Sequence, residues 1–341
     1  MSESEHPTQD TTGTQQLSRP TERPNLRHVL ACVDASPSAP AVLAHAAAMA
    51  EAAGARMTIM HVLESPADQE PMDPVEWALR HRNAITYLQE RKSQLNDLHA
   101  EAAIVAGPPA ERINTWAHDN AVDLIVLGRG SESDGLYARL GDTARRVAED
   151  ANASVLLVPS MQVGDKPIRY RKMLIPLDGS SRSECVLPLG LEIAAAHEAE
   201  LLLVHAAPKA DIFEADLLDA EAIALRDQLY RHNERAARQY LDWIRSLLFA
   251  PPVSRTRLLP SGDVRRSLAR TAVEEQIDLI VLSAAGKSGH ADMAVGSVAD
   301  YLINRMNIPV LLVRQHKKNL SATHRKLHHA MDTRPPSQGM M

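Results

Sequence analysis

The sequence predicts an α/β protein built as two doubly wound, five-stranded parallel-sheet domains in tandem. Three observations lead there. One unit occurs twice along the 341 residues. Each copy alternates short Val/Ile/Leu runs with Ala- and Leu-rich stretches of helical period. Those runs are apolar throughout, as strands buried on both faces must be, and the helical stretches between them supply the cover.

The repeat is direct. "VDLIVLGRG" at Val122–Gly130 returns as "IDLIVLSAAG" at Ile277–Gly286, and "NASVLLVPS" from Asn152 returns as "NIPVLLVRQ" from Asn307. Asp34 pairs with Asp178 and His61 with His205 at an offset of 144, whereas Gly107–Gly262, Asp123–Asp278 and Gly141–Gly296 stand 155 apart. An insertion of 11 residues between His205 and Gly262 accounts for the change and lengthens a helical segment near Asp211–Leu248. The domains are placed at 25–160 and 169–315, joined near Ser160–Arg171, with disordered tails at 1–24 and, basic in character, at 316–341.

In the second copy, strands are predicted at Met173–Leu177, Leu201–His205, Val253–Leu259, Leu279–Leu282 and Val310–Val313, with a helix over Ser183–His197. The last strands, Ser154–Val158 and Pro309–Val313, read as exposed edges able to pair across the two domains or between chains.

Composition narrows the function. The net charge of -6 argues against broad nucleic-acid binding. With aromatics at 3%, the cores must be built from Ala, Val, Leu and Ile. Two cysteines, Cys32 and Cys185, form neither a disulfide framework nor a zinc pattern and suit a reducing compartment. The 15 histidines are scattered and read mostly as surface or helix residues. The polar first 24 residues lack the apolar segment of a signal peptide, and no run approaches a membrane span, so a cytoplasmic protein is expected.

In a doubly wound sheet, ligands collect beyond the carboxyl ends of the strands, where strand order reverses. In the second copy that places Asp178, Gly179, Ala206, Ser283–Gly289 and Gly296-Ser297 toward a ligand. Glycines let backbone N–H groups approach an anion, and a helix start supplies unpaired donors and partial positive charge. Ser297 adds a hydroxyl and Lys287 a cation, while Asp178 can accept from a ribose or hold a hydrated cation. Gly286-Lys287-Ser288 is not a Walker loop, because Val281 stands at its first glycine. Each residue also has a plain structural reading. Ser297 with Asp300 resembles a capping box, Asp178-Gly179-Ser180 a simple turn, and His61 and His205 core-edge histidines.

These residues resemble the universal stress protein family. The resemblance rests on the opening strand "MLIPLDGSS", the second strand "LLLVHA", "DLIVLS" as the fourth, and the final "IPVLLVR". It covers roughly 25–160 and 169–315 and implies a Rossmann-like, adenine nucleotide alpha hydrolase-like fold. Nucleotide-binding members carry G-x2-G-x9-G-[ST]. Here Ser283 stands at the first glycine, Gly286 at the second, and Gly296-Ser297 completes the pattern.

The resemblance implies a nucleoside against Pro176, Asp178 and Ala206. It implies phosphates on Gly286, Lys287, Gly296, Ser297 and Val298, with Ser283 adding a Cβ near the ribose. The first copy reads Gly128-Arg129-Gly130-Ser131, then nine residues, then Gly141-Asp142. Its carboxylate stands where phosphate would sit, though it also makes a good N-cap, and Arg129 is placed to offset its charge.

The leading expectation is therefore ATP or a related adenine nucleotide, with or without Mg²⁺, bound by the second domain alone and coupled to a stress response or to an unidentified protein partner. No residue constellation for efficient turnover is visible, and slow ATP hydrolysis stays open. The alternative is a nucleotide-independent interaction or dimerisation module with both sites degenerate. A third reading, a related nucleotide-hydrolase-type enzyme, would need an acid or nucleophile that the sequence does not offer.

Overall fold

The computed structural model describes residues 26–64, 73–95, 99–130, 140–160, 167–207, 220–248, 254–260, 262–284 and 295–314. Both predicted tails lie outside the described residues. The first copy runs β1 (His28–Cys32), α1 (Ala39–Ala53), β2 (Arg56–Leu63), α2 (Pro74–Ser93), β3 (Ala100–Ala106), α3 (Pro109–Asp119), β4 (Leu124–Gly128), α4 (Asp142–Asp150) and β5 (Ser154–Val158). The second runs β6 (Lys172–Leu177), α5 (Ser181–Glu184), α6 (Leu187–His197), β7 (Glu200–Ala206), α7 (Ala220–Leu247), β8 (Ser254–Leu259), α8 (Val264–Glu274), β9 (Leu279–Ser283), α9 (Ser297–Arg305) and β10 (Val310–Val313).

The ten strands form one sheet in the order β3-β2-β1-β4-β5-β10-β9-β6-β7-β8. Within each copy every pairing is parallel, and the strand order reverses beside β1 and β6. The copies join through β5 and β10, which run antiparallel with Leu156 opposite Leu311. Those two leucines are the same residue of the repeat, 155 positions apart, so the seam is a local two-fold axis. The last strands thus pair across the two domains, the first of the two pairings the sequence allowed, and so are interior strands with neighbours on each side rather than exposed edges. Pairing within the chain satisfies the edge donors and acceptors, leaving neither strand open to a second chain.

Helices cover both faces. Alternate side chains of β5 and β10 enter different cores: Leu156 and Leu311 pack with α1, α2, α6 and α7, whereas Leu157 and Leu312 pack with α3, α4, α8 and α9. Each core runs across the seam. On the first face α1 packs on α6, with Tyr170 buried between them, its hydroxyl 2.7 Å from His45 Nδ1.

The predicted helix Ser183–His197 is two helices. Pro188 lies in the first turn of α6, as Pro40 does in α1, because proline lacks the N–H needed further along. The insertion appears as a longer helix, α7 having 28 residues against 20 in α2. No helix among the described residues is long and apolar enough to cross a membrane.

The identical "DLIVL" segments have a structural role at the amino ends of the strands. Asp123 accepts from the N–H groups of Arg27 and His28 at 2.9 and 3.1 Å, and Asp278 from those of Arg171 and Lys172 at 2.7 and 3.2 Å. Each carboxylate ties the fourth strand of its copy to the start of the first. Burial pushes the Asp278 carboxyl up, against the pull of those backbone donors.

Candidate functional site

Parallel topology puts the ends of β6, β7 and β9 on one edge of the sheet. Pro176, Asp178, Ala206 and Ser283 therefore gather there, all partly exposed, while the strand interiors are buried. The Gly296 N–H donates to the Ala284 carbonyl at 3.2 Å, drawing the start of α9 to the end of β9. Gly296, Ser297 and Val298 thus join the same edge. Gly286 and Lys287 lie outside the described residues.

Gly296, not Ser297, is the N-cap of α9, and no side chain caps the helix. The capping-box reading of Ser297 is corrected accordingly. Ser297 is the first helical residue and is exposed, in a first turn whose N–H groups have no acceptor within the helix. Such an end suits an anion on both hydrogen-bonding and dipole grounds.

The neighbouring strands pair over fewer residues than their counterparts. β1 and β4 pair over four residues, from Val29 opposite Leu124 to Cys32 opposite Leu127. β6 and β9 pair only at Met173–Leu279 and Leu174–Ile280. The ladder stops two residues short, and the position equivalent to Cys32 is Pro176, which has no N–H to donate. The second copy is therefore unzipped at the carboxyl end, where its strand order reverses.

Asp178 is held in a turn. Its Oδ1 accepts from the N–H of Ser180 at 2.9 Å and from its hydroxyl at 2.5 Å, and Gly179 takes a left-handed φ of 78°. His205 donates from Nδ1 to the Leu177 carbonyl at 2.8 Å. The first copy repeats both features. The Ser36 N–H donates to Asp34 Oδ1 at 3.1 Å, and His61 Nδ1 to the Val33 carbonyl at 2.9 Å. The turn and the histidine thus recur whatever follows them, as the core-edge reading of the two histidines and the turn reading of Asp178 expect.

The first copy differs at its helix end. Gly141 is the N-cap of α4, not Asp142, which is the first helical residue. Arg145 at 2.8 Å and Arg146 at 3.4 Å pair with the Asp142 carboxylate, and the Arg145 hydrogen bond holds its carboxyl below the usual range. Arg129 does not offset that charge as expected. Its guanidinium is buried and reaches the carbonyls of Ile303 and Met306 in the second copy. Gly128, equivalent to Ser283, leaves no room for a side chain, since a Cβ there would stand 2.5 Å from the Ser38 hydroxyl.

Sequence reasoning missed two side chains beside Asp178. The Tyr240 hydroxyl donates to the Glu184 carboxylate at 2.9 Å, and its ring lies 5.0 Å from that of His205. Their neighbourhood raises the Tyr240 hydroxyl pKa, through burial first and then the Glu184 charge. Tyr87 occupies the matching place in the first copy, 5.6 Å from His61, and donates to the Asp34 carbonyl. A tyrosine on the long helix of each copy was the available signal, but the insertion puts the two at neither offset.

Comparison with known proteins agrees with this architecture. The universal stress protein family model matches residues 25–159 and again 169–314. Universal stress protein Rv2005c of Mycobacterium tuberculosis is 24% identical over 307 residues, covering 86% of this chain and 99% of its own. The crystal structure of a universal stress protein from Archaeoglobus fulgidus superposes with a TM-score of 0.63 at 16% identity, over 86% of this chain and all of that one. A universal stress protein solved in complex with cAMP is 24% identical and covers 40% of this chain and 98% of its own, with a TM-score of 0.29. With its model matched twice over most of the sequence, the chain belongs to the universal stress protein family and carries two of its domains in tandem.

Proposed function

We propose that the second domain binds ATP or a related adenine nucleotide, with or without Mg²⁺, and that the first domain does not take a triphosphate. The domains are taken as 25–160 and 169–315. One observation carries the reading: β6 and β9 part at the switch point beside an uncapped helix that starts with Ser297, whereas β1 and β4 stay zipped beside Asp142. In this reading Pro176, Asp178 and Ala206 border the nucleoside. Ser283 lies near the ribose, and Gly286, Lys287, Gly296, Ser297 and Val298 surround the phosphates. The second domain's residues bind and orient; no base or nucleophile is assigned, and binding acts by biasing conformation or partner choice.

Titration calorimetry with ATP and Mg²⁺ tests this. Wild type is expected to bind, and Ser297→Asp to lose binding. No binding by wild type, or equal binding by the variant, overturns the reading.

A second reading has one observation in its favour. The Asp178 turn and His205 recur in the first copy, so neither is specific to a nucleotide site. Both sites would then be degenerate and the chain an interaction module. Denaturing the purified protein and looking for released adenine nucleotide by mass spectrometry separates the two at the outset, and titration decides where none is released.

A further inference from the structure

The two last helices, α4 and α9, are each held from across the seam. Arg129 follows β4 in the first copy, and its guanidinium donates to the Ile303 and Met306 carbonyls at the C-terminal end of α9. Arg314 follows β10 in the second copy and donates to the Ala148 and Glu149 carbonyls at the end of α4, the latter at 2.8 Å. Final-turn carbonyls have no partner within their own helix, and a cation there also suits the dipole. The two contacts cross the seam in opposite directions, but Arg129 and Arg314 are not equivalent in the repeat, their counterparts 155 positions away being Ala284 and Pro159.

The consequences differ for the two helices. The far end of α4 carries Asp142, already paired with Arg145 and Arg146. The far end of α9 is the uncapped Gly296-Ser297 start. A second link reaches α9 from the first copy: the Leu140 N–H donates to Asn304 Oδ1 at 3.1 Å. Asn304 in turn donates to the Asp300 carbonyl at 2.8 Å and to its carboxylate at 3.0 Å, within the first turn of α9.

The arm that reaches across is itself fixed. The Arg129 N–H donates to the Val158 carbonyl at 2.9 Å, and its carbonyl accepts from Gly141 at 2.6 Å. Arg129 and Leu140 are the two flanks of the first copy's own glycine loop. Those two flanks thus hold the helix whose other end borders the second copy's candidate site.

We propose that the first domain's loop acts as a brace for the second domain's site, with Arg129 and the Leu140–Asn304 bond as positioning elements that set where the first-turn N–H groups of α9 stand. The proposal rests on the nucleotide reading given above and deepens it. The copy with the carboxylate acts on binding through the other copy's helix. A nine-residue helix spans only about 13 Å and moves as a rigid rod, so holding one end fixes the other.

The test uses the full chain and compares variants of the two arginines that cross the seam. Arg129→Met is expected to weaken ATP binding about tenfold, the scale of one or two charge-assisted hydrogen bonds acting through position. Arg314→Met removes the same kind of contact from α4. It is expected to lower the thermal midpoint comparably while leaving ATP affinity within about twofold. Asn304→Ala, at a half-buried surface position that leaves the core intact, is expected to weaken binding about threefold. Equal effects of the two arginine variants on affinity, or unchanged affinity in both Arg129→Met and Asn304→Ala, overturn the proposal.

Hydrogen exchange of the nucleotide-free protein gives an arm that does not depend on binding. Exchange in the first turn of α9 is expected to quicken in Arg129→Met and not in Arg314→Met, and no difference there overturns the brace. Wild type that fails to bind ATP but exchanges as expected would sink the nucleotide reading and leave the brace standing.

Discussion

The two copies share a fold, a turn after the first strand and a histidine on the second, yet their carboxyl edges are not alike. In the first copy β1 and β4 stay paired to Cys32 and Leu127, and α4 starts on a carboxylate held by two arginines. In the second, pairing stops at Leu174 and Ile280, and α9 starts on an exposed serine with no side-chain cap. The two edges thus differ in strand pairing and in the residue that opens the last helix. What the copies share is scaffold, and where they part is where function is to be sought.

The largest expected effect breaks that contrast directly. Ser297→Asp places a like charge where the proposed phosphates would stand, and affinity should fall at least about 100-fold. The reverse change, Asp142→Ser, should create no second site, because the zipped β1–β4 ladder and Ser38 fill the space. Calorimetric stoichiometry reads both; two nucleotides per chain in Asp142→Ser would break the comparison.

The next contrast concerns pH. His45 is buried at the seam, and desolvation lowers its pKa from 6.5 to about 4, whereas the equivalent residue in the second copy is Leu189. The folded protein keeps His45 neutral while the unfolded chain takes up a proton, so this stability is present above about pH 6.5. It drains away as pH falls from there toward 4, by about 3 kcal/mol in all. Denaturant melts across this range should show the loss in wild type, and His45→Leu should flatten it.

The amino-end carboxylates should behave alike in the two copies. Asp123→Ala and Asp278→Ala each leave two backbone N–H groups without their acceptor, at an expected cost of about 2 kcal/mol apiece in chemical denaturation. A cost confined to one copy would show that the braces are not equivalent. The smallest effect is a gain. Gly54 and Glu198 end equivalent helices in the left-handed region, at φ of 60° and 57°, where a side chain is strained. Glu198→Gly should add up to about 1 kcal/mol to stability, read as a raised thermal midpoint.

Much of this was legible in the sequence for a definite reason. Strands buried on both faces must be apolar throughout, so β6, β7, β9 and β10 announced themselves within a residue of their ends. Duplication then doubled each signal, and parallel topology placed Pro176, Asp178, Ala206, Ser283 and Gly296-Ser297 on one edge. Local chemistry was read less well. Both glycines, with extended backbones, took the cap position assigned to Ser297 and Asp142. Tyr240 and Glu184 escaped notice because a long helix and a four-residue helix from distant parts of the chain bring them together.

By itself, then, the sequence determined the α/β class, the tandem repeat and the edge on which Pro176, Asp178, Ala206, Ser283 and Gly296-Ser297 meet. These follow from periodicity and from the chirality of parallel crossovers, which are local or combinatorial rules. Only the tertiary structure decided that the two sheets fuse through β5 and β10, that β6 and β9 part while β1 and β4 do not, and that Arg129 serves α9 rather than Asp142. Each of those depends on which hydrogen-bonding groups meet at long range, and an unsatisfied carbonyl or strand edge finds its partner in space, not in sequence.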